Sequence, residues 1–245
     1  MKNKVTLDSI LSPISVKKFF NEYWRKKHLV LRRDKFKDLF TFDDLNKYIN
    51  RFPDVKYLNV VDYDGYGTKW TWDKFKLRDD NQPNLNRAGI IDLWKKGKTI
   101  IVPLCEYENE KLVNICFELE KYFCYGQSNI YCSPCAGSKS FNIHADSTEN
   151  FLFHQYGEVK WTIYNEWGKS PRPKKFTIQD EFILNAGDLL YIPAGQYHHV
   201  ETIGPRILAS IHFPNKAKQT LENFKITSRS ESNRTEWYDL SLYCK

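Results

Sequence analysis

The sequence predicts a mainly β fold: a double-stranded β-helix of the jelly-roll type, with N-terminal α/β elements and a helix packed against it. Three observations carry this. From Ser128 to about Phe213 short runs alternate apolar and polar residues with a period of two, the pattern of strands that bury one face. Turn residues, including Ala186-Gly187-Asp188 and Pro193-Ala194-Gly195, separate those runs. Residues 106 to 125 instead place Leu112, Ile115, Cys116, Leu119, Tyr122 and Phe123 at helical spacing, so an amphipathic helix precedes the sheet.

In chain order, residues 14 to 27 put Ile14, Phe19, Phe20, Tyr23 and Trp24 on one helical face, with Ser12 before Pro13 as the expected cap. HLVLRR reads as a strand. Thr41 and Asp44 have the spacing of a helix start and lead into DDLNKYINRF. VKYLNVVDY is a second strand, and the aromatic-rich TKWTWDKFKL is expected to cover the barrel or line its mouth, with Trp70 and Trp72 as packing residues. AGIIDLWKKGKTIIVP reads as a helix, a glycine stop and a strand. Gly126 closes the amphipathic helix, and Pro214 ends the last strand. The expected organisation is an N-terminal segment over 1–125, a barrel core over 126–214 and a polar tail over 215–245.

At 245 residues the chain has ample length for a buried core, and 41% hydrophobic with 16% aromatic residues excludes disorder throughout. The formal charge of +7 is spread among acidic residues, which points to solubility before nucleic acid. Six cysteines (105, 116, 124, 132, 135 and 244) lack the spacing of a small secreted domain, and MKNKVTLDSI is too polar for a signal-peptide core. A cytoplasmic protein with reduced thiols is expected. Cys132 and Cys135 form a CxxC without a second half, so free thiols are expected there rather than zinc ligands. No apolar run reaches the roughly 18 to 20 residues of a membrane span.

The chemistry concentrates in FNIHADSTENFLFHQYGEVKWTIYN. His144 and Asp146 lie two residues apart at a strand edge, and side chains at i and i+2 share a face. A lone His-x-Asp is a weak signal. Here it is followed by alternating strands and then by Gly-Asp, a strand, Pro-x-Gly and His198, the order a jelly roll needs to bring a third ligand to the first two. Two His and one carboxylate make a facial triad with open positions, the usual protein site for non-haem Fe(II).

Around these residues the chain resembles the JmjC-type cupin oxygenases, and within them the ribosomal oxygenase group. WRKKHLVLRR resembles that group's N-terminal segment, and the helix from Glu106 to Tyr125 stands in the expected place before the barrel. NIYCSPCAGSKSFNIHAD is similar to the family's Asn-x-Tyr strand, Pro and Gly-Ser loop and His-x-Asp, with one extra residue near Cys135. Phe151, Gly157 and Trp161 match downstream, and GDLLYIPAGQYHH matches the distal ligand motif. The resemblance implies Fe(II) on His144, Asp146 and His198, with 2-oxoglutarate as cosubstrate and a hydroxylated C–H bond as product. It further implies that Asn129, Tyr131 and Ser210 touch 2-oxoglutarate and that Asn150 makes a polar contact.

One position departs from the pattern. Where the family has Lys or Arg after the glycine turn, to pair with the far carboxylate of 2-oxoglutarate, this chain has Val159. Lys160 is next to it but faces the other way by alternation unless a bulge re-aims it. If Ser210 faces the site, then Arg206, Leu208 and His212 share its face; Arg206 pairs bidentately with carboxylates, while a His is a weaker substitute. The plainer reading of Arg206 is a solvated strand-end residue. His154 shares the inward face with Asn150, and His199 points away from His198.

The first functional reading is an Fe(II)- and 2-oxoglutarate-dependent dioxygenase acting on a protein or peptide residue. The barrel also hosts RNA-directed and small-molecule hydroxylation. The competing classes are a metal-binding cupin without oxygenase activity, for which Val159 speaks, and a basic RNA-binding protein whose aromatic residues from 70 to 75 stack bases. Oligomeric state is open.

Overall fold

The computed structural model describes residues 5–50, 58–61, 87–107, 109–123, 126–138, 140–168 and 171–214. The aromatic TKWTWDKFKL segment and the 215–245 tail lie outside the described residues.

Alternation sets the architecture. A seven-stranded antiparallel sheet runs in the order β1 (Leu29–Leu31), β8 (Leu189–Ile192), β5 (Thr148–Tyr156), β10 (Arg206–Pro214), β4 (Gln127–Ser133), β3 (Thr99–Pro103) and β2 (Asn59–Val61). A smaller sheet faces it, in the order β7 (Ile178–Asn185), β6 (Glu158–Trp167) and β9 (Gln196–Thr202). The strands β1, β2 and β3, from the N-terminal part of the chain, hydrogen-bond into the large sheet.

Each face of the large sheet has its own core. Phe151, Phe153, Leu189 and Tyr191 point outward, where α1 (Leu7–Leu11), α2 (Val16–Glu22) and α5 (Glu110–Glu120) cover them with Leu11, Phe19 and Leu112, joined by Phe123 just after α5. The intervening Leu152, Leu190, Ile192 and Leu208 point inward and meet Val159, Trp161, Ile163 and Val200 of the small sheet. This is the mainly β sandwich that the period-two pattern predicts.

The helices are shorter than their periodicity suggests. Ser15, not Ser12, caps α2 by accepting from the Lys18 N–H, and Ser12 instead closes α1, a helix the sequence reading did not separate. The helix expected from 106 onward starts as a 3-10 turn over Cys105–Tyr107 and becomes α5 only where Asn109 accepts from the N–H groups of Lys111 and Leu112. The Thr41–Asp44 start of α3 (Phe42–Asn50) is a capping box: Thr41 N donates to Asp44 Oδ2 at 2.8 Å and Asp44 N to Thr41 Oγ1 at 3.2 Å. The glycine stop follows α4 (Arg87–Lys95) at Gly97, whose φ is 73°.

One turn positions the far end of the barrel. Gly157 joins β5 to β6 at φ 76°, and a Cβ there would lie 1.9 Å from the carbonyl oxygen of Pro205. Only glycine allows this approach, which fixes the backbone just before Arg206.

Candidate metal centre

His144 and His198 face each other across an isolated antiparallel bridge. The His144 N–H donates to the His198 carbonyl at 3.1 Å and the His198 N–H returns a bond of 2.8 Å. The two rings therefore stand side by side, 4.4 Å between centroids. The turn before β9 is tied to the same segment, because the Gly195 N–H donates to the Asp146 carbonyl at 2.7 Å. The Ala194 N–H meets the buried Glu149 carboxylate at 3.3 Å.

Each imidazole has one nitrogen committed. Nδ1 of His144 lies 2.7 Å from the Asn142 carbonyl oxygen, and Nδ1 of His198 lies 3.0 Å from that of Gln196. A carbonyl only accepts, so both Nδ1 atoms carry the proton and both Nε2 atoms present a lone pair. Each Nε2 lies 3.6 Å from an oxygen of Asp146. Ligand atoms about 2.1 Å from a common ion are at most about 4.2 Å apart, so both spacings admit one ion between them. Burial, then the neighbouring His144, pushes His198 down to about 4, which keeps it neutral at pH 7. Among the described residues this is the one grouping of three His, Cys, Asp or Glu side chains close enough to hold a metal.

The three residues open onto a cavity of about 200 Å³ between the two sheets. Asn129 and Tyr131 of β4 form one wall. Burial first, and the charge of Asp146 second, pushes the Tyr131 phenol up to about 12, so it stays protonated. Beside them β10 contributes Arg206, Leu208, Ser210 and His212, all lining the cavity, in register opposite Ser133, Tyr131, Asn129 and Gln127. The alternation inferred for β10 therefore holds, and Arg206 is no solvated strand end: it is 1% exposed.

Arg206 is held by hydroxyls alone. Its Nε donates to Ser133 Oγ at 3.0 Å and its Nη2 to Ser140 Oγ at 3.4 Å, while Nη1 is buried without a partner. No carboxylate of the described residues pairs with it. Burial pushes the guanidinium down to about 10, against the opposing pull of Tyr131 and Cys132, so it remains a cation at neutral pH. A buried charge left unpaired costs on the order of several kcal/mol.

Of two further expected contacts, one lines the cavity and one lies outside it. Asn150 lines the cavity, but its Nδ2 donates to Asp146 Oδ2 at 2.8 Å, so it steadies the carboxylate. Lys160 is outside the barrel: its Nζ pairs with Glu181 at 2.9 Å, because the register of β6 runs without a shift from Glu158 to Ile163 and no bulge turns the side chain inward. His199 is opposite Thr162 and near Glu201, away from the triad. The buried His154 donates from Nε2 to the Gly157 carbonyl at 2.8 Å, a structural bond. Ser133, Ser140 and the wall residue Trp161, whose indole N–H is buried without a partner, escaped the sequence reading as site residues. Ser133 could be linked to Arg206 only once the β4–β10 register was known.

Among the described residues Cys105, Cys116, Cys132 and Cys135 form no disulfide. No described helix is long and apolar enough to cross a membrane.

Residues 104–221 match the family model described as the JmjC domain. Among curated proteins, ribosomal oxygenase 2 of Rattus norvegicus is 32% identical over 226 residues, covering 84% of this chain and 45% of that protein. The bifunctional lysine-specific demethylase and histidyl-hydroxylase NO66 of Dictyostelium discoideum is 28% identical over 224 residues, covering 84% and 41%. Among solved structures, YcfD, a ribosomal oxygenase from Escherichia coli in complex with cobalt and 2-oxoglutarate, superposes with a TM-score of 0.56 at 18% identity, over 85% of this chain and 53% of that one. The chain spans less than half the length of these curated relatives, and the likeness to YcfD speaks to the fold.

Proposed function

We propose that this chain, which carries a JmjC domain over residues 104–221, is an Fe(II)- and 2-oxoglutarate-dependent dioxygenase that hydroxylates a C–H bond of a protein or peptide residue. The observation that carries the reading is the donor set: two imidazoles pinned at Nδ1 and one carboxylate converge at the edge of a cavity with polar walls. A two-nitrogen, one-oxygen set with open positions suits Fe(II). Asn129, Tyr131 and Ser210 supply neutral hydrogen-bonding groups to a 2-oxo acid in the cavity. When bound, the metal would let O2 oxidise both partners, one oxygen atom going to the substrate C–H bond as hydroxyl and the other to 2-oxoglutarate, which leaves as succinate and CO2.

The chain's own residues supply position. Asn150 fixes one Asp146 oxygen, leaving the other to the metal, and neutral His198 offers its lone pair without first losing a proton. Trp161, Val200 and Leu208 give the cavity apolar walls that exclude water. The protein-residue substrate follows the names of the relatives, ribosomal oxygenase and histidyl-hydroxylase. The lack of a disulfide among its described cysteines fits a cytoplasmic setting.

The test is anaerobic addition of Fe(II) and then 2-oxoglutarate to the purified protein, watching for a metal-to-ligand charge-transfer band. Turnover in air with ribosomal-protein and histone peptides, read as a mass gain of one oxygen, follows. A protein that binds Fe(II) but gives no band would be a metal-binding cupin without oxygenase activity.

A further inference from the structure

Resting on the cosubstrate reading above, we infer that Arg206 anchors the far carboxylate of 2-oxoglutarate and makes the cavity select 2-oxo diacids over 2-oxo monoacids. The anchoring duty thus moves from β6 to the first residue of β10, on the facing sheet.

The small sheet offers no inward cation near the Gly157 turn. Val159 is fully buried among Leu152, Trp161, Leu184 and Leu208, and Lys160 is engaged with Glu181 on the outer surface. From the other wall Arg206 enters the same cavity as the triad. Ser133 and Ser140 take two of its three guanidinium nitrogens, and both are neutral, so they orient the fork without compensating its charge. The third, Nη1, is buried and has no acceptor, and the Trp161 N–H in the same cavity lining lacks one too. A buried guanidinium nitrogen short of an acceptor calls for an anionic group, while the Trp161 ring lies 5.7 Å from that of His198, at the triad end.

The backbone holds this cation in place. His154 bonds the Gly157 carbonyl, Gly157 packs under the Pro205 carbonyl, and Arg206 follows directly. Apart from Arg206 and the two triad imidazoles, the basic side chain of the lining is His212, which lies where the charge of Asp146 reaches it, at the triad end. A ligand with its keto acid at the triad and a carboxylate at the far end fits both termini of the cavity; a monoacid leaves Arg206 unpaired.

The experiment titrates Mn(II)-loaded full-length protein calorimetrically with 2-oxoglutarate and with 2-oxopentanoate, which has the same carbon chain without the far carboxylate. The wild type is expected to prefer the diacid strongly. Arg206→Met is expected to weaken 2-oxoglutarate by at least about tenfold, the loss of a charge-assisted hydrogen bond. Its affinities for 2-oxopentanoate and for Mn(II) stay within about twofold, so discrimination collapses. Because Arg206 is buried, Arg206→Lys is a second arm that keeps the charge and is expected to fall between the two. Adding Val159→Lys to Arg206→Met is expected to restore diacid binding from the opposite wall. Arg206→Met binding 2-oxoglutarate as the wild type does, or losing both acids equally, would overturn the inference. A wild type that binds Mn(II) but neither acid would instead overturn the dioxygenase reading on which it rests.

Discussion

At one end of the cavity the His144 and Asp146 side chains keep 32% and 38% of their surface exposed, while at the other Arg206 is 1% exposed. The metal end is assembled from a segment that touches β9 through a two-bond bridge, with its imidazoles aimed by carbonyls two residues upstream. The cation end is built into paired strands, where Arg206 is opposite Ser133 and flanked by the Gly157 turn. The difference teaches how each end should fail. Exposed ligands on local supports can be removed with little cost to the fold, whereas the buried charge is tied to the packing of both sheets.

The sharpest break of that comparison is at the ligands. His144→Ala, Asp146→Ala and His198→Ala should each weaken Fe(II) or Co(II) binding by more than about 100-fold, since even supporting residues around a metal cost about 10- to 100-fold. The first two variants should retain a cooperative thermal transition close to wild type. His199→Ala should keep the metal, because it faces away beside Thr162. Co(II) titration followed by electronic absorption reads all four, and metal loss in His199→Ala with retention in His198→Ala would exchange their roles.

Next in size is Asn150→Ala. Freed from the 2.8 Å bond, the Asp146 carboxylate can rotate out of its aim, and metal affinity should drop by about tenfold. Unchanged affinity together with weaker 2-oxoglutarate binding would return Asn150 to a cosubstrate contact.

Asn150 also shows where the sequence stops being legible. Alternation puts it on the inner face, but alternation cannot say that its amide donates to both Asp146 Oδ2 at 2.8 Å and the Thr148 carbonyl at 3.2 Å; that depends on the 3.3 Å donation from Thr148 to its Oδ1 and on the loop path at Asp146. The three ligands were legible because their spacing is a property of one strand edge and one turn. So was the inward set on β10, since a period of two needs no partner strand. Ser133 and Ser140 were not, because they reach Arg206 through pairing between segments more than sixty residues apart. The helices misread their ends for a similar reason: hydrophobic spacing runs on past the points where Ser15 and Asn109 set the caps.

A smaller effect probes the cation end through pH. Burial takes His154 down to about 4, whereas unfolded it titrates near its usual value of about 6.5. Between those values the unfolded chain holds a proton that the native one lacks, so stability rises with pH through this window. It is complete above about pH 6.5 and falls as pH drops toward 4, by up to on the order of 3 kcal/mol from this group. His154→Gln keeps a donor for the Gly157 carbonyl and should flatten the dependence by up to one proton. Urea unfolding of wild type and variant at pH 5 and pH 7.5 measures it; parallel curves would place the titrating group elsewhere.

The smallest expected effect is that of Lys160→Ala, and it decides between two locations for the cation. Lys160 adjoins the position where a family member carries its basic residue, so a single bulge near Val159 would turn it inward. The pairing of β6 with β7 is continuous from Glu158 to Ile163, and its pairing with β9 is continuous from Val159 to Ile163. The Lys160 ammonium instead meets Glu181 at 2.9 Å and Glu201 at 4.0 Å, an exposed group screened by solvent and salt. Lys160→Ala should therefore leave 2-oxoglutarate affinity unchanged and move the melting midpoint by no more than about 2 °C. A tenfold loss of 2-oxoglutarate in this variant, beside an Arg206→Met protein that binds normally, would put the cation back on β6; the unpaired Nη1 of Arg206 argues for β10.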